Sequence, residues 1–239
     1  MTIEVLYPEI CNLYGDLFNA EYLARCGGGL ELHRTGLKDE PRFVREAVAL
    51  VYMGGTTEQG QALCIDALRP YMDTLRRRVE EGQLFLVTGN AMELFGSHIV
   101  LPGGSRLEGL GLYDTWAVRD MERRYNSLFL GELPGVEGAV TGYKSQFGHS
   151  YGSNEDNFLF TVRRGCGLNP DSTLEGVRIH NFMATYLTGP LAVLNPPFAK
   201  YLLEQMGVQD TALPCESAAW EAYRVRLQEF ENPELHFEY

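Results

Sequence analysis

No run of about 18 apolar residues occurs anywhere in the 239-residue chain, so no segment is expected to span a membrane. The opening residues, Met1-Thr2-Ile3-Glu4-Val5-Leu6-Tyr7, lack a basic stretch and a small-residue cleavage site, and no secretory leader is expected. Positive charge is scarce: 20 Lys and Arg stand against 32 Asp and Glu, a formal net charge of −12. General affinity for nucleic acid or anionic lipid is therefore not expected. The run Arg76-Arg77-Arg78 falls on an expected helix beside Glu80 and Glu81 and reads as a solvated face. Cysteine is sparse too. Cys11, Cys26, Cys64, Cys166 and Cys215 are odd in number and form no CxxC pair, which points to reduced thiols in a cytoplasmic setting. His33, His98 and His236 show no metal-ligand spacing with one another or with the cysteines, and neither metal nor cofactor is expected. With no repeat, low-complexity stretch or linker, one domain over 1–239 is expected, its 207–239 portion an acidic helical tail.

What the sequence does contain is alternation of strand and helix signals. Glu4–Tyr7 reads as an opening strand, with a helix over about 16–25. The apolar run Ala47–Val51 leads into Met53-Gly54-Gly55-Thr56-Thr57-Glu58, a buried strand, a glycine turn and a helix N-terminus. A helix over about 59–81 is expected to break near Pro70. Leu84–Thr88 is a second buried strand, and Gly89–Gly96 turns straight into a helix. This pattern predicts an α/β domain with a mostly parallel sheet covered on both faces. From about 97 to 162, short segments between Gly, Pro, Asn and Asp predict strands and hairpins packed beside that sheet. Residues 176–182 read as one further strand, with helices near 198–206 and 217–229.

Four segments, in order, resemble one family. They are Leu6-Tyr7-Pro8-Glu9-Ile10-Cys11-Asn12-Leu13-Tyr14-Gly15-Asp16; Met53-Gly54-Gly55 with Glu58-Gln59; Arg106–Asp114; and Thr185-Tyr186-Leu187-Thr188-Gly189-Pro190-Leu191 with Asn195-Pro196. Together they are similar to the glutaminase subunits of lipid II isoglutaminyl synthase and, more loosely, to cobyric-acid-synthase-like amidotransferases. The resemblance implies a flavodoxin-like class I glutamine amidotransferase fold with a small strand-rich extension. It also implies glutamine hydrolysis by an elbow cysteine assisted by a histidine, with the ammonia passed to a Mur-ligase-like synthetase partner. A thiolate needs a neighbouring base or cation, and backbone N–H groups must hold the oxyanion.

The family's elbow reads C-G-G-Y-Q-L-L-G, and here the matching residues are Gly89-Asn90-Ala91-Met92-Glu93-Leu94-Phe95-Gly96. The nucleophile position is Gly89. The histidine of Y-L-H-G-P falls on Thr188, and that of G-Y-E-x-H-x-G falls on Gln146. No catalytic residue is assigned on this reading. The expected pocket comprises Gly54, Gly55, Gly89, Asn90, Arg123, Arg124, Gln146 and Thr188, able to bind glutamine or a related small amide. Arg123 or Arg124 falls where the resembling family has an arginine for the ligand's α-carboxylate; a surface ion pair with Glu122 is the alternative. A second reading keeps an active amidohydrolase with a different nucleophile, Thr88, Ser145 or Cys166, assisted by His149 or His180. Cys11 and Cys64 read as structural, and Cys215 has no visible partner.

Overall fold

The computed structural model describes residues 1–26 and 28–238; Gly27, and Tyr239 at the end of the acidic segment, lie outside the described residues. Strand β1 (Thr2–Leu6), helix α1 (Phe18–Cys26) and β2 (Glu31–Thr35) come first, then α2 (Arg42–Arg45), β3 (Leu50–Met53) and α3 (Glu58–Leu68). Thr57 caps α3 through its hydroxyl, which accepts from the Gly60 N–H at 3.1 Å. A 3-10 turn over Arg69–Tyr71 separates α3 from α4 (Met72–Glu80), as expected where Pro70 removes a backbone donor. Strand β4 (Phe85–Thr88) then delivers Gly89.

The segment Gly89–Phe95 is a 3-10 helix, not the α-helix that its pattern invites. Partners outside the segment take its carbonyls: Gln61 Nε2 donates to Asn90 O, the Tyr113 hydroxyl to Met92 O, and the N–H groups of Leu110 and Leu112 to Leu94 and Phe95 O. Short strands follow: β5 (His98–Val100), β6 (Arg106–Glu108), β7 (Trp116–Arg119), β8 (Tyr125–Glu132), β9 (Ala139–Gln146), β10 (Gly148–Tyr151), β11 (Phe160–Arg164) and β12 (Leu174–Glu175). They form two four-stranded sheets, ordered β10-β7-β5-β6 and β12-β11-β8-β9. The strand expected over 176–182 is two strands, β13 (Val177–Ile179) and β14 (Phe182–Thr185), folded antiparallel about a turn in which His180 has φ +52°. Asn181 holds that turn, accepting from the Phe85 N–H and donating to Gly82 O. Helices α5 (Leu191–Leu194), α6 (Pro196–Gln205) and α7 (Glu216–Glu231) complete the chain.

The main sheet runs β13-β14-β4-β3-β1-β2, parallel throughout except for the edge strand β13. Alternate strand residues face opposite layers. Leu50, Tyr52, Leu84 and Leu86 pack with α1 and α6, whereas Val51, Met53, Phe85 and Val87 pack with α3 and α4. Helices therefore cover both faces. In the 207–238 stretch the Tyr223 hydroxyl of α7 donates to Ala139 O, and Arg164 donates to the carbonyls of Phe230, Asn232 and Leu235. None of the described helices is long and apolar enough to cross a membrane.

Candidate functional site

The register Met53↔Val87 and Thr88↔Thr185 aligns the carboxyl ends of β3, β4 and β14, where open α/β sheets place their ligand crevice. At the end of β4 the chain turns sharply at Gly89, whose φ is +64°. A Cβ placed there would lie 3.2 Å from Gly55 Cα and 3.2 Å from Thr188 Cγ2. Gly55 faces back, its own missing Cβ 3.7 Å from Gly89 Cα and 3.5 Å from Asn90 Oδ1. Gly54 is required for a different reason, since a side chain there would meet Cys11 O at 2.8 Å. Gly55, Gly89, Asn90, Arg124, Gln146 and Thr188 line a single cleft of about 240 Å³ with Leu13, Tyr14, Thr57, Glu58, Ser145 and Phe147. Residues from five separate stretches thus meet in one cleft. Gly54 and Arg123, also expected in the pocket, are not among those lining it. Arg124 is, and its guanidinium lies over the Phe147 ring at 4.6 Å rather than pairing with Glu122.

A buried polar frame holds these segments. Asp16 accepts from the Thr88 hydroxyl at 2.8 Å and from the Gly189 N–H at 2.8 Å, tying the elbow strand to the loop that carries Thr188. Burial pushes the Asp16 carboxyl up to about 6, against the pull of the Gly189 N–H and the Thr88 hydroxyl. The Tyr52 hydroxyl donates to Asp16 O at 2.7 Å and receives Asn19 Nδ2 at 3.1 Å. On the other side, Asn90 clamps the Thr56 backbone, accepting from its N–H at 3.0 Å and donating to its C=O at 2.8 Å. Glu93 accepts from Gln61 Nε2 at 2.8 Å and from the Tyr186 hydroxyl at 2.9 Å, and burial raises its carboxyl. Thr188 donates both its N–H and its hydroxyl to Tyr143 O, at 2.9 and 3.2 Å.

The residues proposed for a different chemistry are engaged elsewhere. The Thr88 hydroxyl is committed to Asp16. Ser145 Oγ donates to Asn126 Oδ1 at 2.8 Å and receives the Tyr14 hydroxyl at 3.1 Å. Cys166 is buried, accepts from the Tyr125 hydroxyl at 3.1 Å, and has its thiol pushed up by burial, away from thiolate character. His149 sits 3.4 Å from Gln146 Nε2 and edge-on to Tyr125; burial lowers its affinity for a proton. His180 is corrected outright: its turn precedes β14, at the far end of that strand from Thr188. Among the described residues, the histidine paired with a hydroxyl at hydrogen-bond distance is His98, 3.0 Å from Ser97, and neither lines the cleft. Cys11 and Cys64 are buried together, sulfur to sulfur 3.4 Å, while Cys215 is exposed before α7.

Sequence reasoning missed the frame itself. Asp16, Tyr52 and Glu93 gave no signal of their own, although Asp16 ends the first family-like segment. Lys144 stands where the resembling pattern has glutamate, and that departure was the available clue to the buried ion pair it makes with Glu175.

Gly89 and Thr188 are fitted to each other. Gly89→Ala is expected to cost about 1–3 kcal/mol, from the positive φ and from contact with the Thr188 methyl. In a Thr188→Ser background, which keeps the hydroxyl and removes that methyl, the cost should fall by about 0.5 kcal/mol or more. Urea denaturation of the four proteins in the cycle measures the difference; strict additivity would refute the contact.

A largely parallel sheet with helices on both faces, a sharp glycine elbow after β4 and a glycine loop after β3 fit an α/β domain of the class I amidotransferase type. The chain belongs to the CobB/CobQ-like glutamine amidotransferase domain family, which matches residues 2–195. It is 24% identical over 207 residues to the lipid II isoglutaminyl synthase (glutamine-hydrolyzing) subunit GatD of Staphylococcus aureus, covering 86% of this chain and 84% of the relative. The subunit of the same name from Streptococcus pneumoniae is 24% identical over 226 residues, covering 90% and 85%. Among solved structures, a glutamine amidotransferase superposes with a TM-score of 0.59 at 19% identity, over 86% of this chain and 99% of that one. PurLQS from Thermotoga maritima gives 0.55 at 14% identity, over 95% and 98%. These structures establish the flavodoxin-like class I fold.

Proposed function

We propose that this chain is a non-hydrolysing, ligand-binding member of its family, acting as a binding or regulatory subunit of a synthetase-like partner. The observation that carries this reading is the elbow. Gly89 occupies the nucleophile position with φ +64°, and the Thr188 methyl closes over the place where a cysteine Cβ would stand. A nucleophile elbow holds its residue at a cost of about 1–3 kcal/mol, which glycine avoids. The side chains lining the cleft include amide, hydroxyl, guanidinium and carboxylate groups but no thiol and no imidazole. Neutral amides and hydroxyls bind well and transfer protons poorly near pH 7. The partner reading is supported by the names of the two relatives, each a subunit of a glutamine-hydrolysing synthase; the Mur-ligase-like synthetase that the family resemblance implies is the candidate.

The test is glutamate release from glutamine by the wild-type chain, by Gly89→Cys/Thr188→His, and by each in the presence of the candidate synthetase. The two positions are changed together because Thr188 Cγ2 lies 3.2 Å from the new Cβ. Wild type is expected to be silent, and the double variant to hydrolyse glutamine measurably. Losing the nucleophile and base of a hydrolase removes roughly six orders of magnitude in turnover, so even partial restoration is visible. Turnover by wild type would overturn the proposal, and a rate unchanged by Gly89→Val would return the search to Cys166 and His149.

A further inference from the structure

We propose that the groove between α6, α7 and the turn joining β8 to β9 docks a basic segment of another protein. It holds one arginine side chain of that segment against Trp220, with Glu137 and Glu204 as counter-charges. The groove lies at the opposite end of β9 from Gln146, so the inference stands apart from the ligand-binding reading of the cleft.

The groove has a volume of about 610 Å³. Its floor is aromatic: Tyr223 is buried, and Trp220 is half-buried and nearly perpendicular to it, ring centroids 5.7 Å apart. Gly138 shapes the wall, since a Cβ there would meet Pro197 Cγ at 2.9 Å and the Tyr223 hydroxyl at 3.2 Å. That hydroxyl donates to Ala139 O at 2.8 Å, which fixes α7 against the start of β9. Around this floor Gly135, Glu137, Gly138 and Glu204 are exposed, so the groove is open to solvent. Its lining residues from α6 and α7 lie beyond residues 2–195, the part of the chain that matches the family. Most of the groove is thus built outside the shared domain.

Charge selects the occupant. Among the described residues neither Glu137 nor Glu204 forms an ion pair. Lys200, the cation lining the groove, is already neutralised: its ammonium lies 2.6 Å from Glu216 Oε1, which also accepts from Trp220 Nε1 at 3.3 Å. Two carboxylates are left without a counter-charge. The rings ask for the same group, because a cation is drawn to the face of an aromatic ring, and most strongly to tryptophan. Tyr201 of the groove already has the Arg178 guanidinium over its ring at 5.7 Å. Among the described residues no cation stands over Trp220 or Tyr223. Arginine satisfies both demands: its stem packs on a ring while its guanidinium meets carboxylates. A neutral or acidic segment would desolvate the carboxylates without pairing them. The net charge of −12 steers a basic partner toward the chain. An open groove of this size suits a length of extended chain, whereas small molecules are held by enclosure.

The probes are blocked tripeptides, Ac-Pro-Xaa-Pro-NH2, with arginine, norleucine or glutamate at the centre and proline to keep them extended. They are titrated calorimetrically into the full chain at about 0.15 M salt. The arginine peptide is expected to bind at least about tenfold tighter than the norleucine peptide, and the glutamate peptide not to bind. Glu137→Gln/Glu204→Gln changes two exposed side chains and keeps the fold; it should bring arginine within about twofold of norleucine. In Trp116→Phe, Trp220 is the sole indole, and its emission should shift on binding of the arginine peptide. Equal affinity for arginine and norleucine, or an arginine preference that survives the double substitution, overturns the charge assignment. No binding of the arginine peptide at about 5 mM, or binding that leaves the Trp220 emission unchanged, overturns the docking site. N-acetylarginine amide bound as tightly as the peptide would make the occupant a small cation and overturn the docking of a segment.

Discussion

Lys144→Met is expected to destabilise the fold by about 3–5 kcal/mol, seen as a lower urea midpoint, without changing the overall secondary structure. Lys144 and Glu175 are both fully buried and paired. The ammonium also donates to Cys166 O at 2.9 Å and Gly167 O at 2.6 Å, so all three of its protons are used. Glu175 in turn accepts from the Thr185 hydroxyl at 2.9 Å and from the Tyr186 N–H at 2.8 Å. Methionine fills the same volume but strands a carboxylate and two carbonyls in a dry interior. Adding Glu175→Gln should recover more than half of the loss, since the amide is neutral and keeps an acceptor for Thr185 and Tyr186. Equal destabilisation by the single and double substitutions would show that packing, not charge, sets the cost. The pair links β9, the strand of Gln146, to β12, and Glu175 in turn holds Thr185 and Tyr186 at the end of β14, the strand that leads to Thr188.

Much of this architecture was legible in sequence because it depends on local pattern. Leu84–Thr88 became β4, the run Ala47–Val51 leads into β3 and overlaps it at Leu50 and Val51, and Pro70 broke the helix where its missing donor demands. The positions of Gly55, Gly89, Asn90, Gln146 and Thr188 were legible for a different reason: the family resemblance fixes which stretches meet above the sheet. What escaped were features set by tertiary partners. Gly89–Phe95 reads as α-helical, yet its carbonyls are claimed by Gln61, Tyr113 and the Leu110–Leu112 loop, and it tightens to 3-10 geometry. Residues 176–182 carry a continuous strand-like pattern, and only the Asn181 bonds to Gly82 and Phe85 reveal a turn that carries His180 away from the site. Arg123 and Arg124 are neighbours in sequence, and nothing local to the sequence tells that Arg124 lines the cleft and Arg123 does not. Asp16, 72 residues from Thr88, has no sequence signature for the bond that joins them.

That same carboxylate makes stability depend on pH in an unusual direction. The Asp16 carboxyl rises from 3.8 to about 6 on folding, mainly because burial penalises its charge. The folded state therefore binds this proton more tightly than the unfolded chain. The resulting stabilisation is fully present below about pH 3.8 and is lost as pH rises to about 6, beyond which it contributes nothing further. At 1.36 kcal/mol per unit, the whole swing is about 3 kcal/mol. Burial raises Glu93 as well, which adds in the same direction. Exposed carboxylates such as Glu31, Glu40 and Glu216 are lowered by their partners and act oppositely, but only as pH falls through their own range below 4.5. Between about pH 6 and 5 the buried groups dominate, and wild type should gain about 1 kcal/mol on acidification. Asp16→Asn, which cannot titrate, should lose most of that gain; a variant as pH-sensitive as wild type would assign the effect to Glu93 or to relief of the overall negative charge. At neutral pH the protein thus keeps an ionised, buried carboxylate that weakens the fold. Its two acceptor oxygens, one on Thr88 and one on the Gly189 N–H, hold the elbow and the Thr188 loop in register, and the geometry of the cleft depends on that hold.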